Sequence, residues 1–491
     1  MKSITEPSDN EDSALSLDTV FNPPTKEQWV EVAVAGLSSS KDQTISMEQV
    51  RRTTLEGIPI EVLYDAADAC VHLPRQASSS ASWDNRVSIR IPGAADATDP
   101  NSLILAALAG GATSIELHTA SAQALEPALR NVKLDIAPIS LRCGTQFQAC
   151  ATELIRLAGA QGIAQNQLKN TFNADPLGAL LEHGVTDSSI VEQLQEMASF
   201  VAASSAVRPQ SAHVLVDTSI HHNAGASTVE ELHGAIATGA LYLETLLSSG
   251  MSVNDAYRQI VFQVAMDADV LLGVAKLRAL RTLWWHVAQA MDNTISADQT
   301  VQIVSETSRR YLSKAESWNN HLRNLTAASA AMFGGADTLI VHPHDTLERG
   351  NRTTDNELGD RMARNVAIIL ERESGLSHVH DPMAGSYAVE NLTQQLAQHT
   401  WQSLSSTDTA EGWLDELTSG RWQTRLSQTH KLRTELMQQE KKVAVGVNRF
   451  VDDKAPQKTS NDNTSAANQG LLTPVRDAQT FENGTTVGEA K

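Results

Sequence analysis

The chain of 491 residues predicts an α/β protein: a (β/α)8 TIM-like barrel with an N-terminal arm and a disordered C-terminal tail. Three observations lead there. Short apolar runs introduced by Gly, Pro or Asn alternate with helix-length segments, which is the pattern of a parallel sheet with helices outside. More than four such units favour a closed barrel over an open sheet. Both ends of the chain are polar and offer little to bury, unlike everything between them.

Taken in order, the opening residues up to 25 are acidic and rich in Ser, Asn and Pro. The stretch TKEQWVEVAVAGL then places Val30, Val34 and Leu37 at steps of four and three behind a Thr that can cap a helix. Residues 1–50 therefore read as an arm ending in a helix, and 51–450 as the barrel. Strands are expected at Arg86–Ile91, Thr113–His118, Ala137–Leu141, His213–Asp217 and Asp337–His342. A long helix is expected over Ala268–Ala290, where Val270, Val274, Leu277, Leu280, Trp284 and Val287 form one apolar face, with Lys276, Arg278 and Arg281 off it as solvated residues. Thr307–Phe333 reads as a second helical region, stopped at Gly334-Gly335. From 451 to 491 there is one aromatic, Phe481, and too little apolar side chain to offset ordering entropy, so this tail is expected to be disordered.

Acidic residues exceed basic ones by 20, which makes the phosphate backbone of nucleic acid a repulsive partner. No stretch approaches the ~20 uninterrupted apolar residues of a membrane helix. The opening MKSITEPSDNEDSALSLD lacks the apolar region of a secretory signal, so a cytoplasmic location is expected. Cys70, Cys143 and Cys150 match no zinc spacing and read as buried reduced thiols.

Barrel enzymes place chemistry at the C-terminal ends of their strands, which directs attention to histidines. His118 ends TSIELH, His221 and His222 follow VLVDTSI, His342 and His344 follow TLIV, and His378 and His380 lie in SHVHDP. The two H-x-H pairs could serve a metal-dependent TIM-barrel hydrolase, but Pro343 breaks the strand before His344, and the reading that fits better is hydrogen-bonded rim histidines. No glycine-rich nucleotide loop, nucleophile elbow or H-E-x-x-H is present.

Four blocks carry a family resemblance. TLEGIPIEVLY (54–64), AKLRALRTLWWHV (275–287), TSRRYLSKAESWNNHLRNLTAASAAMFGGADTLIVHP (307–343) and RMARNVAIILERESGLSHVHDPMAGSYAVENLT (361–393) resemble, in this order, the methylmalonyl-CoA mutases. The resemblance spans roughly residues 25–445. It implies a substrate-binding barrel that works with adenosylcobalamin to interconvert (R)-methylmalonyl-CoA and succinyl-CoA.

Departures from the family pattern set the expected role. D-x-H-x-x-G, whose His ligates cobalt in the family's cofactor domain, does not occur, so no cobalamin-binding domain and no cofactor-binding residue is expected in this chain. The Tyr- and Arg-containing segment that follows T-x-x-G-I-P in catalytic members is replaced after Tyr64 by DAADACVHLPRQASSSASW. Catalytic members also carry a Tyr-His pair ahead of E-A-G-A, and here those positions hold Ser219 and Ile220. Isoleucine has no donor for a thioester carbonyl and serine is too short to replace a tyrosine. Ser219, Ile220, His221 (one place along) and His342 are thus the expected degenerate substrate-pocket positions, with no catalytic or metal residue.

FNADPLGALLEHG (172–184) looks like the small subunit of heterodimeric mutases. The resemblance then implies the small, beta subunit, inactive alone, with a large, alpha catalytic subunit as partner that holds the adenosylcobalamin and takes the acyl-CoA. An acyl-CoA mutase barrel served by a separate cobalamin-binding protein is the alternative within the family.

Overall fold

A computed structural model describes residues 24–39, 46–69, 82–91, 99–184, 188–295, 299–348, 357–405, 410–452 and 470–482. Eight parallel strands close into a barrel: β1 (Asp84–Arg90), β2 (Ser114–His118), β3 (Ile139–Arg142), β4 (Thr171–Ala174), β5 (Ala212–Asp217), β6 (Ile260–Met266), β7 (Gln302–Thr307) and β8 (Thr338–Ile340). Each pairs with its sequence neighbours, and β8 closes on β1 with Thr338 opposite Asp84. The (β/α)8 expectation is correct. Helix α1 (Lys26–Ser39) follows Thr25 as expected.

The helices start where the sequence supplies caps. Asp99 caps α2 (Pro100–Ala109), and Asp175 caps α4 (Pro176–His183); in each a proline takes the first helical position, where no N–H is needed. Ser227 and Glu230 form a capping box on α7 (Thr228–Ser248), and Asp269 caps α8 (Val270–Met291). Between these lie α3 (Phe147–Ala160), α5 (Ile190–Ser205) and the one-turn α6 (Ser219–Asn223). After the barrel's α9 (Asn319–Phe333) come α10 (Glu357–Arg372), α11 (Tyr387–Leu404), α12 (Ala410–Thr418) and α13 (Arg421–Gln438). The main core lies outside the sheet, between strands and helices, where Trp284 stacks on Tyr257 at 5.8 Å and meets Phe262 edge-on at 5.1 Å.

Three expectations need correction. Strand β7 and the loop after it occupy the first part of the expected 307–333 helix, which starts only at Asn319. Lys276 and Arg281 are not solvated: both are buried, because other helices cover α8 on the sides its apolar stripe leaves open. Finally, residues 470–482, placed in a disordered tail, pack on the protein with Leu472, Asp477 and Ala478 buried. Residues 453–469 and 483–491 lie outside the described residues, as does Cys70. Cys143 and Cys150 are free and buried.

Candidate functional site

Alternation along the strands places two layers inside the barrel. Leu215, Val261, Val304 and Ile340 form an apolar floor. Two residues further on, toward the C-terminal mouth, the same strands present Asp217, Gln263, Glu306 and His342, joined by Glu116 and Arg142 from β2 and β3.

This upper layer bonds to itself. Arg142 pairs with Asp217 through one nitrogen and donates to Gln263 Oε1 at 3.3 Å through another. Gln263 Nε2 donates to Glu306 Oε2 at 3.3 Å, and the same oxygen lies 3.1 Å from His342 Nε2. Arg309 Nε reaches His342 Nε2 at 3.2 Å. On the other wall, Ser88 donates to Glu116 Oε1 at 3.0 Å and His118 Nε2 lies 2.8 Å from that oxygen. The electrostatics follow from this closure. Burial works against the charge on Glu116, but His118, Arg142 and Arg86 hold its carboxyl down at about 2. Burial likewise opposes the charge on Glu306, yet Arg309 and His342 hold it well below the ordinary carboxylate range. Burial, helped by the Arg309 charge, lowers the His342 ring against the pull of Glu306.

Beside this layer, Asp175 accepts hydrogen bonds from Tyr242 (2.5 Å) and from the Gly178 N–H (2.9 Å). Burial, helped by the charge on Asp217, raises its carboxyl to about 6 against the pull of the Tyr242 bond. A cavity of about 30 Å³ lies where β1 and β8 meet α10, lined by Arg86, Ser88, Ile340 and His342 on the strand side and by Asp360 and Arg364 on the helix side, with room for one or two waters.

The expected pocket positions are divided by the fold. Ser219, at the start of α6, donates its N–H to Asp217 Oδ1 at 3.0 Å, and Asp217 belongs to the same layer as Glu306 and His342. Ser219 and His342 therefore share one polar layer. Ile220 is half-buried and packs against the outer core. His221 turns away from this layer: its Nδ1 accepts the Trp422 indole N–H at 3.0 Å, and its ring packs on Trp413 and Trp422.

Other histidines are equally engaged. His222 lies 3.2 Å from Glu231 and 2.8 Å from the Ser308 hydroxyl, and His344 stacks on Trp318 and His321 at 4.5 and 4.6 Å. His378 and His380 are exposed on the outside. Among the described residues no group of three His, Cys, Asp or Glu side chains converges as metal ligands. Nor do these rim histidines fit a corrinoid's cobalt, since His221, His222 and His342 are buried against protein partners and half-buried His118 is engaged with Glu116.

The residues that define this layer, Glu116, Arg142, Asp217, Gln263 and Glu306, were not singled out in the sequence. One signal was available: each is a charged or amide side chain in or at the end of an otherwise apolar strand, where an unpaired polar group is costly.

Fold and site together define a (β/α)8 barrel of enzyme type whose mouth is filled by its own paired side chains. A family model described as methylmalonyl-CoA mutase matches residues 107–483. The chain is 32% identical to the methylmalonyl-CoA mutase small subunit of Streptomyces virginiae over 465 residues, 89% of this chain and 72% of the relative. It is 29% identical to the small subunit of Propionibacterium freudenreichii subsp. shermanii over 83% of this chain and 66% of the relative. To the methylmalonyl-CoA mutase of Escherichia coli (strain K12) it is 26% identical, over 65% of this chain and 44% of the relative. This chain belongs to the methylmalonyl-CoA mutase family. Its matched part spans 65% to 72% of the length of the small subunits named here and of their Mycobacterium counterparts.

Proposed function

We propose that this chain is the small, non-catalytic subunit of a heterodimeric, adenosylcobalamin-dependent methylmalonyl-CoA mutase. A large subunit in the cytoplasm holds the cofactor and interconverts (R)-methylmalonyl-CoA and succinyl-CoA. The observation that carries this reading is the self-satisfied layer from Arg142 through Asp217, Gln263 and Glu306 to His342. A substrate pocket needs donors aimed at the reacting carbonyl and free to meet it. Here Arg142 and Gln263 spend their donors on neighbouring acceptors, Ile220 offers none, and the Ser219 N–H is tied to Asp217. A barrel in this state is a rigid body with an enzyme's outline, suited to a large obligate interface. The proposed organisation is an arm over 1–50, the barrel over 51–450 and a C-terminal segment from 451.

Co-expression with a full-length mutase chain from the same genome tests this. The expected result is a stable 1:1 complex, active in converting methylmalonyl-CoA to succinyl-CoA, with no turnover by this chain alone when supplied with adenosylcobalamin. Turnover by the isolated chain, or failure of any full-length mutase chain to co-purify with it, would overturn the proposal.

A further inference from the structure

Residues 470–482 cross the C-terminal end of the barrel from the β4 side to the β7 side. Leu472 N donates to Leu181 O in the last turn of α4 (3.0 Å), Val475 N to Asn223 O at the end of α6 after β5 (2.8 Å), and Asp477 N to Arg310 O after β7 (3.1 Å). At the far end, Glu482 Oε1 accepts from the N–H of Lys314 (2.6 Å) and of Ala315 (3.3 Å), and its other oxygen accepts from Arg476 (2.6 Å). Three backbone bonds and one carboxylate clamp thus tie together segments that follow different strands.

At the centre sits a cationic seat. Arg310 spends one nitrogen on the carbonyls of His222 and Ala226 (both 2.8 Å), and Arg433 from α13 donates to the carbonyls of Gly225 and Ala226 (both 2.9 Å). Both guanidiniums are therefore fixed on the 222–226 turn, buried and close together. Asp477 Oδ1 lies 3.4 Å from Arg310 Nε, 3.9 Å from Arg433 and 3.9 Å from His430 Nδ1. Asp267 lies 4.0 Å from Arg310, Glu56 adds negative charge toward Arg433, and Lys442 adds positive charge toward Asp477. Both oxygens of Asp477, together with Arg310 Nε and His430 Nδ1, are buried without a hydrogen-bond partner. The carboxylate is held by charge in a seat slightly too wide for it, a much looser fit than the bidentate pairing a guanidinium can make.

We propose that this seat is a carboxylate-binding site whose occupant is the chain's own Asp477, so that residues 470–482 act as an intramolecular ligand latching a strap over the C-terminal face of the barrel. The inference does not depend on the subunit reading, because it rests on contacts within this chain. Two buried guanidiniums facing each other need an anion, and a site that imposes no hydrogen-bond geometry accepts another small carboxylate in its place.

The test uses the full chain with Asp477→Ala, amide hydrogen exchange as the readout, and formate as the probe. Amides of 470–482 should lose protection about tenfold or more while those of β5 keep theirs, and added formate should restore protection in the variant and leave the unsubstituted chain unchanged. Glu482→Gln loosens the far anchor without vacating the seat, so formate should not rescue it. If Asp477→Ala fails to fold, Asp477→Asn keeps the shape without the charge, and the expected readout there is loss of protection over 470–482 alone, without formate rescue, because the amide still fills the seat. Unchanged protection of the strap in the variant, or formate acting equally on both chains, would overturn the proposal.

Discussion

At the residue scale, the buried ion pair of Lys276 decides more than its position suggests. Its Nζ donates to Glu231 Oε2 at 2.9 Å and also to the Ala265 carbonyl, while Glu231 Oε1 accepts the Ala265 N–H at 2.9 Å. Burial opposes the charge on Glu231, but Lys276 and His222 hold its carboxyl at about 2. Removing one member strands the other, and Lys276→Met should destabilise the chain by about 3–5 kcal/mol in chemical denaturation. Adding Glu231→Gln should recover part of that loss, and equal stability of the single and double variants would contradict it. Periodicity hid this pair. Lys276 and Arg281 lie off the stripe from Val270 to Val287, and a one-helix pattern identifies only the most apolar face. It does not register that Asp337 and the Gly335 carbonyl wait for Arg281, or Asp381 and Glu390 for Arg278. The polar layer in the mouth escaped for the same reason, since its partners come from six strands.

At the element scale, α7 shows packing overriding helix propensity. Gly239 lies in its interior, where alanine would ordinarily gain about 0.5–1 kcal/mol. A Cβ there would stand 2.9 Å from both Phe262 Cζ and Trp284 Cζ3, which are themselves locked in the core. Overpacking of that kind costs about 1–3 kcal/mol, so Gly239→Ala should lower the melting temperature. Gly36 in α1 has nothing within 4 Å of its would-be Cβ, and Gly36→Ala should leave stability equal or higher. A melting temperature that rose in the Gly239 variant would reject the packing argument. The same interplay explains which elements could be read. Ala212–Asp217 and Ser114–His118 announce themselves as apolar runs, and the structure places strands there. Thr171–Ala174 and Gln302–Thr307 were missed because Thr171, Asn173, Gln302, Ser305, Glu306 and Thr307 interrupt their apolar runs, and Ile260–Met266 because it follows the helix ending at Gln259 without a break. Residues 470–482 are short of apolar groups and are held by carbonyls and arginines far away in sequence, a cause that composition does not reveal.

For the whole molecule, the buried histidines set how stability depends on pH. Burial is the leading cause in each of His213, His221 and His222, which are lowered to about 4, and in His233, lowered to about 3. In the unfolded chain the same side chains titrate near ~6.5. Between these values the unfolded state binds more protons than the folded one, so the stability these groups contribute is present above ~6.5 and is lost as pH falls toward 4. Glu116 and Glu231, held at about 2, have the usual carboxylate sign and extend the loss further into acid. Asp175 acts in the opposite direction: raised to about 6, it favours the fold at low pH, and that contribution is lost as pH rises through 6. For these five groups, four histidines against one aspartate leave about three excess protons bound by the unfolded chain near pH 5, a contribution of roughly 4 kcal/mol per pH unit to the slope. Unfolding free energy from denaturant titrations should therefore be highest near neutrality and drop by several kcal/mol between pH 6.5 and 4. His233, whose Nδ1 meets the Ser403 hydroxyl at 2.8 Å, offers the cleanest check, because His233→Gln keeps a polar partner for that hydroxyl and removes one titrating site. The variant's slope should be shallower by about one proton. A stability flat from pH 7 to 4, or a slope unchanged by this substitution, would show that these rings are not neutral in the folded protein.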